Sequence, residues 1–236
     1  MGAAFEQFKE SLELAAALKR IERERYQAIP KANQQPLVKG LRGGAAVLMV
    51  AAFEFFLRKL FEENISKLNT VPQTIDISKL PDEMKITAVF KGIQRAMNGP
   101  QYESKPPKVQ RIKDILDASK LLISDHVNPE TFSETGSNPN SETVKTKFKE
   151  VGIADIFGKI KTDFERKWSQ PVANDFIALT LDAIVRSRHV VAHTADTLHI
   201  TRKTQNEAFK FLRILSELLE KELEQHIRQL LISARR

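Results

Sequence analysis

The chain has 236 residues, of which 42% are hydrophobic and 28% charged, the composition of an ordinary globular protein of one or two domains. It contains no cysteine, which excludes disulfides, thiolate nucleophiles and cysteine-ligated zinc. The formal net charge of +7 favours a polyanionic partner such as nucleic acid.

The first part of the chain has the pattern of two long helices. From Ala3 to Ile29, apolar residues such as Phe5 and Phe8 recur at three-to-four spacing. Pro30 ends this helix, and the second helix is predicted from Pro36 to Asn69, because proline is favoured in a first helical turn.

The centre of the second helix, Ala45 to Leu57, is the longest apolar stretch, and it contains Glu54. A membrane span needs about 20 apolar residues, so this segment predicts a buried core helix and no contact with a membrane. No basic patch followed by an apolar core marks the N-terminus, so no signal peptide is predicted and we expect a cytoplasmic protein. Gly40, Gly43 and Gly44 match no nucleotide-binding fingerprint and indicate close helix packing.

Helical patterns dominate the rest of the chain. A short strand at Thr74 to Ile77 is the only β-structure that the pattern allows, and His126 to Asn140 has the composition of a long loop. The remaining predicted helices are Asp82–Met97, Lys108–Asp125, Ser141–Val151, Ile153–Gln170, Pro171–His193 and a last helix that Thr204 and Glu207 would begin as a capping box.

The last helix carries a continuous apolar stripe, long enough to pack along the domain or against a partner subunit. The class prediction is therefore all-α, with one helical domain over residues 1–236. Residues 1–35 form its N-terminal helix and linker.

Three of the five histidines fall between His189 and His199, next to Arg186 and Arg188. At about 100° per residue, Asp182, Arg186, His189 and His193 lie within an arc of roughly 60°. The alternative is a solvated helix face on which Asp182 pairs with Arg186.

The residue types of this segment also occur in two other kinds of site. His189 and His193 have the spacing of two zinc ligands, but only His199 or Asp196 lies near enough to add a third, and no His-Glu-x-x-His pattern is present. Ser187 has no nucleophile elbow around it. We therefore predict no metal site and no serine triad.

Phosphodiester cleavage suits these residue types better. His193 can move protons near neutral pH, and an arginine can clamp a phosphate through two parallel hydrogen bonds. When the substrate is RNA, its own 2′-hydroxyl supplies the nucleophile. Such a site needs neither a metal nor a cofactor.

At these residues the sequence resembles the HEPN superfamily, whose helical domains are often RNases. The family signature is an arginine, four to six residues and a histidine, and Arg188 to His193 is similar to its Arg-Asn-x-Ile-Ala-His form. The resemblance is strongest over residues 136–236, where Ser137 to Asn140 and Leu198 to Thr201 resemble the RiboL-PSP-type subgroup, and it is looser before them. Ala52 to Leu60 is similar to its early aromatic-acidic helix.

Two residues depart from the family pattern: His189 stands where asparagine is usual, and Thr194 where glycine is common. Arg186 also satisfies the motif spacing and lies on the same face as His193, whereas Arg188 lies about 140° away on an ideal helix. If Arg188 is the functional arginine of the motif, we expect either that the helix distorts near His189 or that Arg188 reaches across a dimer interface.

The resemblance implies an antiparallel HEPN-like bundle with additional helices, forming a homodimer with a composite site. It implies a metal-independent endoribonuclease of a toxin or defence system, with RNA as substrate and a neutralising antitoxin or other partner protein. His193 would be the main base or acid and Arg188 would hold the phosphate. His189 would assist, and Arg186, Arg202 and Lys203 would guide the RNA backbone.

Two alternatives stay open at this point. One is a non-catalytic HEPN domain that binds RNA or a nucleotide without cutting it. The other is a regulatory module that uses the stripe on the last helix to pair with another protein.

Overall fold

The computed structural model describes residues 2–69, 76–98, 115–116, 127–136, 138–194 and 200–234. Within these ranges it contains eight α-helices and no strand, which confirms the all-α prediction. The helices are α1 Ala3–Arg25, α2 Gln35–Asn69, α3 Asp82–Asn98, α4 Pro129–Ser133, α5 Ser141–Glu150, α6 Ile156–Trp168, α7 Phe176–Thr194 and α8 Arg202–Ser233.

Several predicted boundaries were wrong. Helix α1 ends at Arg25 because Tyr26 adopts an extended conformation. Helix α7 begins at Phe176 and not at Pro171, since Ser169 turns the chain with φ of 70° after α6. The Val172 N–H donates to Glu165 Oε1 at 3.0 Å, and this hydrogen bond lowers the pKa of Glu165.

Helix α8 begins at Arg202, so the predicted capping box at Thr204 and Glu207 was also wrong. Thr201 caps the helix: its Oγ1 accepts from the Thr204 N–H at 3.1 Å, and Thr204 Oγ1 accepts from the Thr201 N–H at 2.9 Å. Threonine therefore takes the place that glutamate has in a usual capping box.

The predicted loop from His126 to Asn140 contains the short helix α4, which Asn128 caps by accepting from the Glu130 N–H. The predicted helix Lys108–Asp125 lies outside the described residues except for positions 115–116. The first two residues of the predicted strand Thr74–Ile77 lie outside them too, and Ile77 begins a 3-10 turn.

The chain divides into two compact units. The first comprises Met1–Leu57, Thr135–Val144 and Phe157–Glu220, and the second comprises Arg58–Glu134, Lys145–Ile156 and Lys221–Arg236. Helices α2, α5 and α8 contribute residues to both, so the prediction of a single domain stays a prediction.

The first unit has an aromatic core. Phe8 lies with its ring centroid 5.4 Å from that of Phe56, which joins α1 to α2. Phe164 packs edge-on against Phe211 at 5.6 Å and joins α6 to α8. Buried Glu220 accepts hydrogen bonds from the Gly2 and Phe5 N–H groups, which stabilises the start of α1.

The second unit packs Phe61 of α2 edge-on against Phe148 of α5 at 5.2 Å. Asn69 closes this unit locally: its side chain donates to Val127 O at 2.7 Å and accepts from the Val127 N–H at 3.0 Å. Gly152 has φ of 92° at the turn after α5, where a Cβ would meet Pro81 Cγ at 2.8 Å.

Helix α2 is long and apolar enough to cross a membrane by length and composition, with a mean hydropathy of 1.6 over its best window, of which half is buried in the protein. Core helices pass the same test. Phe53, Phe56, Leu60 and Phe61 of α2 are fully buried, as the prediction of a core helix requires.

The stripe on α8 is buried along its whole length, so the chain itself covers this surface. Its members are Leu212, Leu215, Leu219, Leu223, Ile227 and Leu230.

Candidate functional site

Helix α7 carries most of the candidate site residues. Its apolar side is anchored in the first unit by Ile177, Leu181 and Val185, which are buried. Helix α7 is continuous to Thr194. The distortion near His189, one of the two predictions made for Arg188 as the motif arginine, therefore does not occur.

His189 and His193 lie next to each other on the exposed side of this helix. Their ring centroids are 4.2 Å apart and the rings are tilted by 51°. Both side chains are exposed, as is that of Arg186. The histidines are one helical turn apart, and this spacing places both imidazoles where one substrate could reach them.

Arg188 has a different environment. Its Nη2 lies 3.8 Å from Glu54 Oε2 of α2, and its side chain is 25% exposed. Glu54 Oε1 also accepts from Thr135 Oγ1 at 3.2 Å. Arg188 is therefore held on the α2 side of α7, about 140° from His193 by helical geometry.

Asp182 does not form the ion pair with Arg186 that the alternative interpretation of this face assumed. Its carboxylate accepts from the Ser141 N–H and from Ser141 Oγ, each at 2.8 Å. This contact satisfies a backbone donor at the start of α5 and fixes α7 against that segment.

Arg202, predicted to guide RNA, holds the end of α1 in this structure. Its Nε donates to Glu22 Oε2 at 2.8 Å, and its Nη2 donates to the carbonyl oxygens of Glu22 and Tyr26. Arg42 binds the other oxygen of Glu22, whose side chain is 1% exposed. Lys203, in contrast, is exposed.

His199 and Asp196, the residues near enough in sequence to add a third zinc ligand, lie outside the described residues. Within the described ranges, no group of three or more histidine, aspartate or glutamate side chains could hold a metal ion. Ser187 is half-buried and lines a cavity that is separate from the histidine pair.

Sequence reasoning missed the contacts of two acidic residues. Glu54 is a carboxylate inside the otherwise apolar stretch Ala45 to Leu57 of α2, and that position could have suggested a cationic partner. The partner of Asp182, 41 residues away, had no signal in the sequence.

The sequence model of the RiboL-PSP-HEPN family matches residues 7–225, nearly the whole chain. The chain belongs to the RiboL-PSP-HEPN family. This match and the helical fold confirm the resemblance, and they associate the chain with a superfamily of RNase-type and nucleotide-binding functions. The match does not address the Arg188–His193 motif itself. No curated protein and no solved structure gives a significant match to this RiboL-PSP-HEPN chain.

Proposed function

We propose that this RiboL-PSP-HEPN protein is a metal-independent endoribonuclease that cuts RNA by attack of the 2′-hydroxyl. The observation that supports this most directly is the exposed pair of imidazoles, His189 and His193, with ring centroids 4.2 Å apart. Cleavage of this kind needs one group to remove the proton of the 2′-hydroxyl and another to protonate the leaving 5′-oxygen. Two neighbouring histidines supply both the base and the acid near neutral pH.

In this proposal His193 is the main proton-transfer group and His189 is its partner. Attack of the 2′-oxygen forms a bond to phosphorus, the bond to the 5′-oxygen breaks, and the products carry a 2′,3′-cyclic phosphate and a 5′-hydroxyl. Arg188 would bind a non-bridging phosphate oxygen and stabilise the charge that builds up there. Exposed Arg186 and Lys203 would attract the backbone.

The position of Arg188 favours a dimeric site. Arg188 lies on the α2 side of α7. On an ideal helix, the side chains of Arg188 and His193 in one chain therefore point in different directions. A two-fold axis that brings two copies of α7 together would place Arg188 of one protomer near His193 of the other. We propose such a homodimer, in a toxin or defence setting where a partner protein restrains the cleavage.

The experiment compares RNA cleavage by the wild-type protein and by His193→Ala, Arg188→Ala, Arg186→Ala and Arg213→Ala. We expect a loss of at least about 100-fold for the first two substitutions, because each removes a group that acts in the transition state. Arg213 is exposed on α8, about three helical turns along that helix from Arg202, and serves as the control. Equal cleavage by wild type and His193→Ala would refute the proposal, and loss with Arg186→Ala alone would transfer the role of Arg188 to Arg186.

Mixing the two inactive variants tests the composite site. A heterodimer of Arg188→Ala and His193→Ala would retain one intact site, built from the Arg188 of one chain and the His193 of the other. Random pairing of equal amounts then restores about a quarter of the wild-type activity. No recovery, with subunit exchange verified by mass spectrometry, would place both groups of each site on one chain.

The binding-only alternative is distinguished by the same samples. This alternative would be supported if the wild-type protein bound RNA without cleaving it and His193→Ala bound RNA equally well. The regulatory-module alternative relied on the stripe of α8, which is buried within the chain and so does not offer an open docking surface.

A further inference from the structure

A cavity in the first unit is separate from the histidine pair and takes no part in the proposed cleavage. It measures about 450 Å³, which is within the range of small-molecule sites. Helices α2, α6, α7 and α8 all contribute to its wall, and α7 does so through Thr180, Ala183, Ile184 and Ser187, which recur at helical spacing along one face.

The lining is mainly apolar and aromatic. Met49, Trp168 and Phe176 supply large flat or flexible surfaces, and among the described residues Glu207 is the one charged side chain in the wall. The mainly apolar wall disfavours charged ligands, which would lose hydration there, and the carboxylate of Glu207 disfavours anions in particular, so this cavity suits an uncharged molecule. Aromatic rings favour a planar ligand that can stack on them.

Two polar atoms in this wall have unused hydrogen-bonding capacity. Among the described residues, Trp168 Nε1 and Gln205 Oε1 are buried without a hydrogen-bond partner, and both belong to side chains that line the cavity. The amide orientation of Gln205 is fixed, because its Nε2 donates to Arg42 O at 3.0 Å. A buried donor and a buried acceptor that lack partners are unfavourable, and a ligand with the complementary groups would relieve this.

We propose that the cavity binds a free, uncharged, planar heteroaromatic molecule of about nucleoside size, with a hydrogen-bond acceptor for Trp168 and a donor for Gln205. The proposal does not depend on the ribonuclease activity, because it uses different residues and a different face of α7.

The test uses the intrinsic fluorescence of Trp168, which is the sole tryptophan of the chain and therefore reports on this site alone. Adenosine, guanosine, uridine and cytidine are titrated into the intact protein, with naphthalene as a planar probe that has no hydrogen-bonding edge. We expect a saturable change for at least one nucleoside with Kd of about 1 mM or tighter, and weaker binding of naphthalene.

Two cavity variants and a matched control accompany the titration. Ala183→Leu fills the cavity and should abolish binding, whereas Ala192→Leu, an exposed position on the same helix outside the wall, should leave it unchanged. Gln205→Met keeps the size of the side chain and removes the acceptor, which should weaken nucleoside binding about tenfold. Circular dichroism establishes that each variant is folded.

Three results would overturn the proposal. The first is the absence of a saturable response to every nucleoside. The second is undiminished binding by a folded Ala183→Leu protein. The third is displacement of the bound nucleoside by an equal concentration of single-stranded RNA, which would assign the cavity to a base of a polynucleotide and not to a free molecule.

Discussion

At the scale of single residues, a buried carboxylate and a half-buried one determine which basic side chains face the solvent. Glu22 binds both Arg42 and Arg202, and Glu54 lies beside Arg188. Arg186, about one turn before His189 on α7, and Lys203, on α8, are both exposed. The net charge of +7 already counts such ion pairs as cancelling, so these contacts reduce the number of arginines that face the solvent and leave the net charge that a polyanion would meet unchanged.

Among the described residues, Lys147 of the second unit has the most unusual environment for a titratable group. Its side chain is 3% exposed and lies close to Glu150, which also pairs with Lys91. Burial lowers the pKa of Lys147 from 10.5 to about 8, even though Glu150 opposes the shift.

This shift makes stability depend on pH. Between pH 8 and 10.5 the unfolded chain binds a proton at Lys147 that the folded chain has released, so the free energy of unfolding rises with pH across this window. From pH 7.5 to pH 10 the rise contributed by this group is roughly 2 kcal/mol.

Lys147→Met should remove this contribution and be no less stable than wild type at pH 7.5, because Lys91 still pairs with Glu150. Urea unfolding at the two pH values measures the difference, with Lys149→Met, an exposed lysine on the same helix, as control. The same pH dependence in the wild type and in Lys147→Met would show that Lys147 is not the group responsible.

At the scale of elements, the position of α7 determines where the candidate chemistry lies. Asp182 fixes the middle of this helix to Ser141, and the buried residues Ile177 and Leu181 fix its apolar side. The histidines project from the last turns of a helix that is therefore held at several points, an arrangement that favours a preorganised site.

Asp182→Ala should lower the free energy of unfolding by about 1–2 kcal/mol, because it removes two hydrogen bonds to Ser141. Asp182→Asn keeps one acceptor oxygen, so its free energy of unfolding should fall by less than that of Asp182→Ala. Urea unfolding gives the stabilities, and RNA cleavage by the same samples should change little at a temperature where both are folded. A 100-fold loss of cleavage with unchanged stability would instead give the carboxylate a direct role in the chemistry.

These helices could be predicted well from the sequence where the apolar periodicity is strong. They were predicted poorly where a local turn or a contact between residues distant in sequence determines the structure. The span of α2 was predicted to within one residue because its apolar core is unbroken and Pro36 marks its start. The starts of α7 and α8 were missed because Ser169 takes a left-handed conformation and Thr201, not Thr204, caps α8. The face shared by His189 and His193 followed from helical geometry alone, whereas the ion pair of Arg188 with Glu54 depends on how α2 packs.

At the scale of the whole molecule, the family match covers residues 7–225 and the fold is all-helical, as a HEPN protein requires. The proposed enzyme adds one claim to this: two imidazoles and an arginine cut RNA with the help of its own 2′-hydroxyl and without a metal. The dimer, the RNA target and the restraining partner all depend on that claim.

The measurement that tests this claim most directly is incubation of the wild-type protein, in excess EDTA, with two RNAs of the same sequence. One RNA is unmodified, and in the other every 2′-hydroxyl is methylated. We predict cleavage of the unmodified RNA alone, with 2′,3′-cyclic phosphate ends identified by mass spectrometry. Cleavage of the methylated RNA, or cleavage that appears only when a divalent cation is restored, would contradict the mechanism.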